Sequence, residues 1–216
     1  MALIMYFTRA PRHEGVTAKD IKLMESYFEW QHEIEVGSKY ASKTFEKWCG
    51  HSEDELPDKK IMEYYKYFYT LKERYTEGIG NENVYSIFEQ LNRYANTNEV
   101  FNWFVTNVMS ANPDDEYHEV TKTQLERFLN DCKEVQKGFV HTGKNWLNVD
   151  EYNVDIDLAR KFLPMVPEKP YWCDDKAYGT RYTMIVLDAI KNTESILATT
   201  DFTKQAVYVN AFLCKV

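Results

Sequence analysis

The last third of the chain constrains the fold most, because its elements have hard boundaries. Phe162-Leu163-Pro164 ends a helix, since proline can neither continue one nor leave the residue before it free to stay helical. Pro170-Tyr171-Trp172-Cys173 then reads as an aromatic, hairpin-like segment. A helix follows over about residues 182–197. Beyond Thr200-Asp201-Phe202 comes a last apolar strand, Ala206-Val207-Tyr208-Val209. Ala2 to Thr8, at the other end of the chain, has the same strand character. Two apolar terminal strands are best buried by sharing a sheet. The expected class is therefore α+β: mostly helical, with a small, mainly antiparallel sheet of two to four strands that includes the N- and C-terminal strands.

Between the ends, helical signals dominate. Thr17-Ala18-Lys19-Asp20 resembles a capping box with Asp in place of Glu, and a helix should run from there to about residue 34. Gly37 and Ser38 break it, and a shorter helix is expected over 39–48. Ser52, with the acids Glu53-Asp54-Glu55 behind it, marks another helix start. Residues 59–75 read as one long Tyr-rich helix, and residues 83–110 as a further one, interrupted near Ala95-Asn96-Thr97-Asn98. Thr121-Lys122-Thr123-Gln124 is a capping box, and the helix behind it should bury Leu125, Phe128, Leu129, Cys132 and Val135. Residues 139–154 read as a loop and 155–163 as a helix. The whole chain, 1–216, is expected to be one domain, with 35–90 a helical insert within it.

Composition excludes some functions. A net charge of −8 argues against general nucleic-acid binding, which usually needs a basic surface, and suits a basic patch on a partner. Cys49, Cys132, Cys173 and Cys214 form no C-x-x-C pair, which points to reduced thiols in a cytoplasm. The apolar N-terminal stretch, about seven residues, is too short for a secretory signal or a membrane span, so no membrane role is expected.

No constellation of residues specifies a reaction. Cys49-x-His51 supplies two metal ligands where a stable zinc site needs three or four, and His32, His118 and His141 are scattered. No metal or cofactor is expected. Cys173 is followed by Asp174-Asp175, whose charges blunt a thiol nucleophile. The acid pairs Asp114-Asp115, Asp150-Glu151 and Asp174-Asp175 would serve a metal-dependent hydrolase only if separated acids converged in the fold. Gly78-Ile79-Gly80 lacks the rest of a phosphate-binding loop.

Aromatic residues remain. The chain has 16 Tyr, 12 Phe and 5 Trp, too many for every tyrosine to be buried with its hydroxyl satisfied. Tyr64, Tyr65, Tyr67 and Tyr69 would encircle a helix, so some should face a partner protein or a second copy of the chain. Lys59, Lys60, Lys66, Lys72 and Arg74 supply positive charge nearby. Tyr171, Trp172 and Tyr178 are candidates for a ligand pocket, with Arg181 as its anion contact.

The same landmarks resemble a family of small, uncharacterised bacteriophage and prophage proteins. The resemblance covers the N-terminal strand and roughly residues 91–212. Within Arg93–Phe104, Asn98, Val100, Trp103 and Phe104 agree with the family's aromatic-basic block, while its basic pair is replaced by Ala95-Asn96 and its histidine by Phe101. Glu119–Glu126, Cys132 and Phe162-Leu163-Pro164 also match. Tyr171-Trp172-Cys173-Asp174 and Tyr178-Gly179-Thr180-Arg181-Tyr182 depart from the family's Phe-rich and Tyr-Asp blocks. The resemblance implies a phage-encoded accessory protein in the host cytoplasm. It would act by non-catalytic binding to a host protein, as a counter-defence inhibitor. The alternatives are a protein that sequesters a small ligand or nucleotide signal and, after it, a metal-dependent hydrolase.

Overall fold

A computed structural model of the chain describes residues 2–35, 37, 58–66, 70–76, 79–95, 97–109, 117–145, 147–164 and 178–214. In chain order the elements are β1 (Ala2–Pro11), α1 (Ala18–Glu35), α2 (Lys59–Lys66), β2 (Thr70–Thr76), β3 (Ile79–Ser86), β4 (Glu89–Ala95), α3 (Asn98–Asn107), β5 (His118–Val120), α4 (Lys122–Gln136), β6 (Phe139–Lys144), β7 (Asp150–Val154), α5 (Ile156–Phe162), α6 (Thr180–Thr199) and β8 (Gln205–Cys214). The fold is α+β. A four-stranded sheet has the order β4-β1-β8-β5, so the two terminal strands are neighbours at its centre. In the antiparallel β5–β8 pair, Glu119 stands opposite Tyr208. The strand pairs β2–β3 and β6–β7 each form a separate antiparallel two-stranded sheet. Among the described residues, no helix is long and apolar enough to cross a membrane.

The chain forms two compact units, one of Met1–Thr8 with Gln90–Val216 and one of Arg9–Glu89. The first unit is built on a ring cluster. Phe7 meets Phe104 edge-on at 4.8 Å, and Phe104 meets Phe128 at 4.8 Å. Trp103 closes against Phe128 at 4.9 Å, and its indole N–H donates to Asp131 Oδ2 at 2.8 Å. The core continues into α4, where Leu125, Phe128, Cys132 and Val135 are wholly buried and Leu129 packs at the edge. The Thr121–Gln124 capping box is formed: the Thr121 hydroxyl accepts from Gln124 N–H, and the Gln124 side chain accepts from Thr121 N–H. Asp155 Oδ1 caps α5 by accepting from the N–H groups of Asp157 and Leu158.

The second unit buries Ile21, Met24 and Phe28 of α1 and Met62 and Tyr65 of α2, together with Ile87 and Phe88. The Thr17–Asp20 cap forms as the sequence suggests, with Thr17 N–H donating to Asp20 Oδ2 at 2.8 Å. Arg9 grips Glu89 with two hydrogen bonds, 2.7 Å from Nε and 3.1 Å from Nη2.

Three expectations fail, each for a physical reason. The long helix over 59–75 ends at Lys66, and residues 70–76 are strand. Leu71, Lys72, Glu73 and Arg74 are helix formers singly, but the backbone pairs antiparallel with 79–86, a distant partner that helix propensity does not see, with Leu71 opposite Tyr85 and Arg74 opposite Glu82. The helix over 83–110 is likewise replaced by β3, β4 and α3, with only its last part helical. The loop over 139–154 is the β6–β7 hairpin. Its turn is built by the Asn145 side chain, whose Oδ1 accepts from Leu147 and Val149 N–H, and by Asn148 in the left-handed region at φ 61°. The expected helices at 39–48 and behind Ser52 lie outside the described residues, as does the Pro170–Cys173 segment.

Gly138 joins α4 to β6 under tight constraint. A Cβ there would stand 2.6 Å from Asp155 Cβ and 3.1 Å from Leu158 Cδ1, and its carbonyl accepts from Asp155 N–H at 3.0 Å. Gly138→Ala should therefore lower stability by about 1–3 kcal/mol. Urea unfolding followed by circular dichroism checks this, and an unchanged midpoint would show that α5 can move aside.

Candidate functional site

In the first unit, the apolar stripe of α3 runs through Val100, Trp103 and Phe104. Helical spacing puts Glu99 on the same side, one turn before Trp103. Its side chain is therefore pulled inward and the residue is only 3% exposed. Its Oε1 has no hydrogen-bond partner. Burial pushes the Glu99 carboxyl up to about 7, against the opposing pull of its own backbone N–H and of the Arg181 charge. Position in the first helical turn also favours the anion.

The Glu99 charge is felt by both Arg181 and Tyr182. Gly179, the N-cap of α6, has no side chain to cap the turn. The Tyr182 hydroxyl donates to the Leu163 carbonyl at 2.8 Å, and Tyr178 rests edge-on against the Tyr182 ring at 5.0 Å. Asn102 Nδ2 donates to the Pro164 carbonyl at 3.1 Å. The end of α5 is thus tied to both α3 and α6.

The neighbouring acids of the centre are poor nucleophiles. Cys132 is wholly buried, and burial, with Asp131 and Glu99 adding to it, holds its thiol protonated. Burial also raises Tyr182, reinforced by Glu99, and it raises Tyr94. At neutral pH only Glu99 among them changes charge. What the unsatisfied Glu99 Oε1 can do is accept a hydrogen-bond donor.

The sequence candidates are distributed unevenly. Tyr178 and Arg181 come together here, Tyr178 half-buried and Arg181 exposed; Tyr171 and Trp172 lie outside the described residues. In the second unit Tyr64 is 40% exposed, whereas Tyr65 is fully buried and donates its hydroxyl to the Pro11 carbonyl at 2.9 Å. Tyr65 is therefore a core residue and is withdrawn from any partner surface; the reason is the amphipathic turn that buries Met62 beside it. Tyr67 and Tyr69 lie outside the described residues. So do Cys49, His51, Asp114, Asp115, Cys173, Asp174 and Asp175. His141 Nε2 lies 3.1 Å from Asp150 Oδ1 on the exposed β6–β7 hairpin, with Lys144 Nζ 3.9 Å from the same oxygen. Among the described residues, no group of three or more His, Cys, Asp or Glu could hold a metal ion.

Sequence reading missed Glu99. The signal was an acid at the spacing of the apolar stripe of α3, hidden by its resemblance to an ordinary acid in a first helical turn.

The buried carboxyl fixes a pH dependence. A carboxyl raised in the folded state holds its proton more tightly there, so its contribution is intact below about pH 4.5. That contribution is lost as pH rises from 4.5, the ordinary value, to about 7. Glu99→Gln removes the loss. Between pH 4.5 and pH 8 the stability of the variant relative to the parent should rise by about 3 kcal/mol. Paired urea titrations at the two pH values measure this, and a constant difference would mean that the carboxyl is solvated.

The chain matches no protein-family model, no curated protein and no solved structure, so these sites are read from their own geometry.

Proposed function

We propose that the protein acts by binding and not by catalysis, docking a protein partner through the face of α2 that carries Tyr64. The observation behind this reading is the contrast between two adjacent tyrosines. Tyr65 is buried and anchored on Pro11, and Tyr64 stands on it edge-on at 5.4 Å, with the His13 ring 5.0 Å from the Tyr64 ring. An exposed aromatic ring already held in place loses little conformational freedom on docking, which is the character of an interface anchor. Lys60 lies one turn before Tyr64 on the exposed side of α2. The protonated, buried state of Cys132 speaks against that residue as a thiol nucleophile.

The resemblance to phage and prophage proteins makes the partner a protein of the bacterial host and the setting its cytoplasm. A component of host defence is the class to test first.

Tyr64→Ala is the direct test, since Tyr64 carries none of the core burial of Tyr65. Tagged parent and variant are used to capture proteins from host lysate at equal folded concentration. The expected result is a stoichiometric host protein on the parent that falls at least tenfold on the variant, the size of loss usual for an interface anchor. Retention of the same protein by both, or of none by the parent, would overturn the reading.

A further inference from the structure

We infer that His141, on the β6–β7 hairpin, is a modification site whose Nδ1 accepts a phosphoryl group from a small activated donor, an acyl phosphate or a phosphoramidate. Asp150 positions the ring, and Lys144 meets the incoming negative charge.

The assignment starts from the register of the hairpin. Directly opposite residues share a face of a strand pair, and so do residues two apart along one strand. His141 stands opposite Tyr152, and Lys144 opposite Asp150. All four side chains therefore belong to one face. In a regular strand His141 and Lys144 would lie on opposite faces. The pairing shifts by one residue between His141 and Gly143, and this bulge carries Lys144 round to the side of His141. Gly143 makes the bulge possible, because its φ of 139° is open to glycine and costly for a residue with a Cβ. The same face begins at Phe139 and Val154, which pack against the core. It passes through Tyr152, whose ring lies 6.0 Å from Phe139 and 5.3 Å from His141. It ends in solvent with His141, Asp150 and Lys144, each half exposed. The imidazole is thus rooted in the fold on one side and open to a reagent on the other.

The chemistry follows from which ring nitrogen is engaged. An ionised carboxylate only accepts, so His141 Nε2 donates its N–H to Asp150 Oδ1 at 3.1 Å. That bond leaves the lone pair of the unprotonated ring on Nδ1, which makes no hydrogen bond among the described residues. A carboxylate behind an imidazole fixes its orientation, raises its basicity and steadies the positive charge formed when the other nitrogen reacts. In the step itself the Nδ1 lone pair forms the N–P bond. The P–O bond of an acyl phosphate breaks, and the carboxylate leaves with its electron pair; from a phosphoramidate, ammonia leaves instead. The new ring charge is held at Nε2–H against Asp150. Lys144 Nζ, 3.9 Å from the same Asp150 oxygen, supplies the cation that suits a phosphoryl dianion. Glu151 stands opposite Gly143 and so belongs to the other face. His13 is an internal comparison, since its Nδ1 is already occupied by the Glu14 carbonyl at 3.0 Å.

The test is incubation of the whole chain with acetyl phosphate and, separately, with phosphoramidate at mildly alkaline pH, followed by intact mass and peptide mapping. The expected product carries one phosphoryl group on His141, is labile in acid and stable in base, and forms about tenfold faster than any product on His13. His141→Ala should abolish it. Asp150→Asn should slow it about tenfold, and Asp150→Glu should recover part of the rate. Lys144→Met should slow it and Lys144→Arg restore it. Urea midpoints check that each exposed variant keeps the fold, so a loss of rate is a loss of reactivity. Reaction with either donor supports the inference and names the donor class. No phosphoryl group at His141 from either donor, equal rates at His13 and His141, or equal rates in the parent and a folded Asp150→Asn overturns it. The hairpin lies in the first unit and Tyr64 in the second. Tyr64→Ala should therefore leave the reaction unchanged, so failure here and failure of the partner-docking reading are separable.

Discussion

Phe7 is the ring on which the first unit closes. It meets Phe104 of α3 at 4.8 Å and Tyr94 of β4 at 5.7 Å, both edge-on. Phe104 then passes the contact to Trp103 and Phe128. Edge-to-face pairs at these separations contribute about 0.5–1.5 kcal/mol each beyond burial, so the first strand, α3, β4 and α4 depend on one another through a few rings. The central position of β1 beside β8 follows, because the strand carrying Phe7 must be covered on both sides.

That dependence explains why Glu99 is out of place. The stripe that presents Trp103 and Phe104 to the rings also carries the residue one turn earlier into the interior. An apolar side chain there would complete the core. A carboxyl instead leaves an unsatisfied oxygen in the interior, the kind of local conflict that folded proteins retain at functional sites. The same core supplies the rigidity that a site needs, through the Tyr182–Leu163 and Asn102–Pro164 bonds.

Elements whose signals are local were legible in the sequence. The Thr17 and Thr121 caps, the buried face of α4 and the terminal strands are each written in neighbouring residues, and the structure places them accordingly. Asn98, Val100, Trp103 and Phe104, on which the expected phage-family resemblance was drawn, are all buried and so are scaffold positions in this chain. Where pairing partners are distant, the reading failed. Residues 70–76 carry helix-forming side chains, and only the ladder with 79–86 makes them a strand. The tyrosine cluster was legible as a cluster but not as a division of labour, since Tyr64 and Tyr65 are told apart only by which side of α2 meets the core. Glu99 needed both the helix phase and the surrounding tertiary packing that buries it, and the second of these is not written in neighbouring residues.

The claim that a buried carboxyl with one unsatisfied oxygen lies in the core is most directly tested by following the Glu99 side-chain carboxyl in the ¹³C NMR spectrum from pH 4 to pH 9, with Glu99→Gln used to assign it. The account predicts a midpoint at about 7. A midpoint near 4.5, the ordinary value for a solvated glutamate, would contradict it.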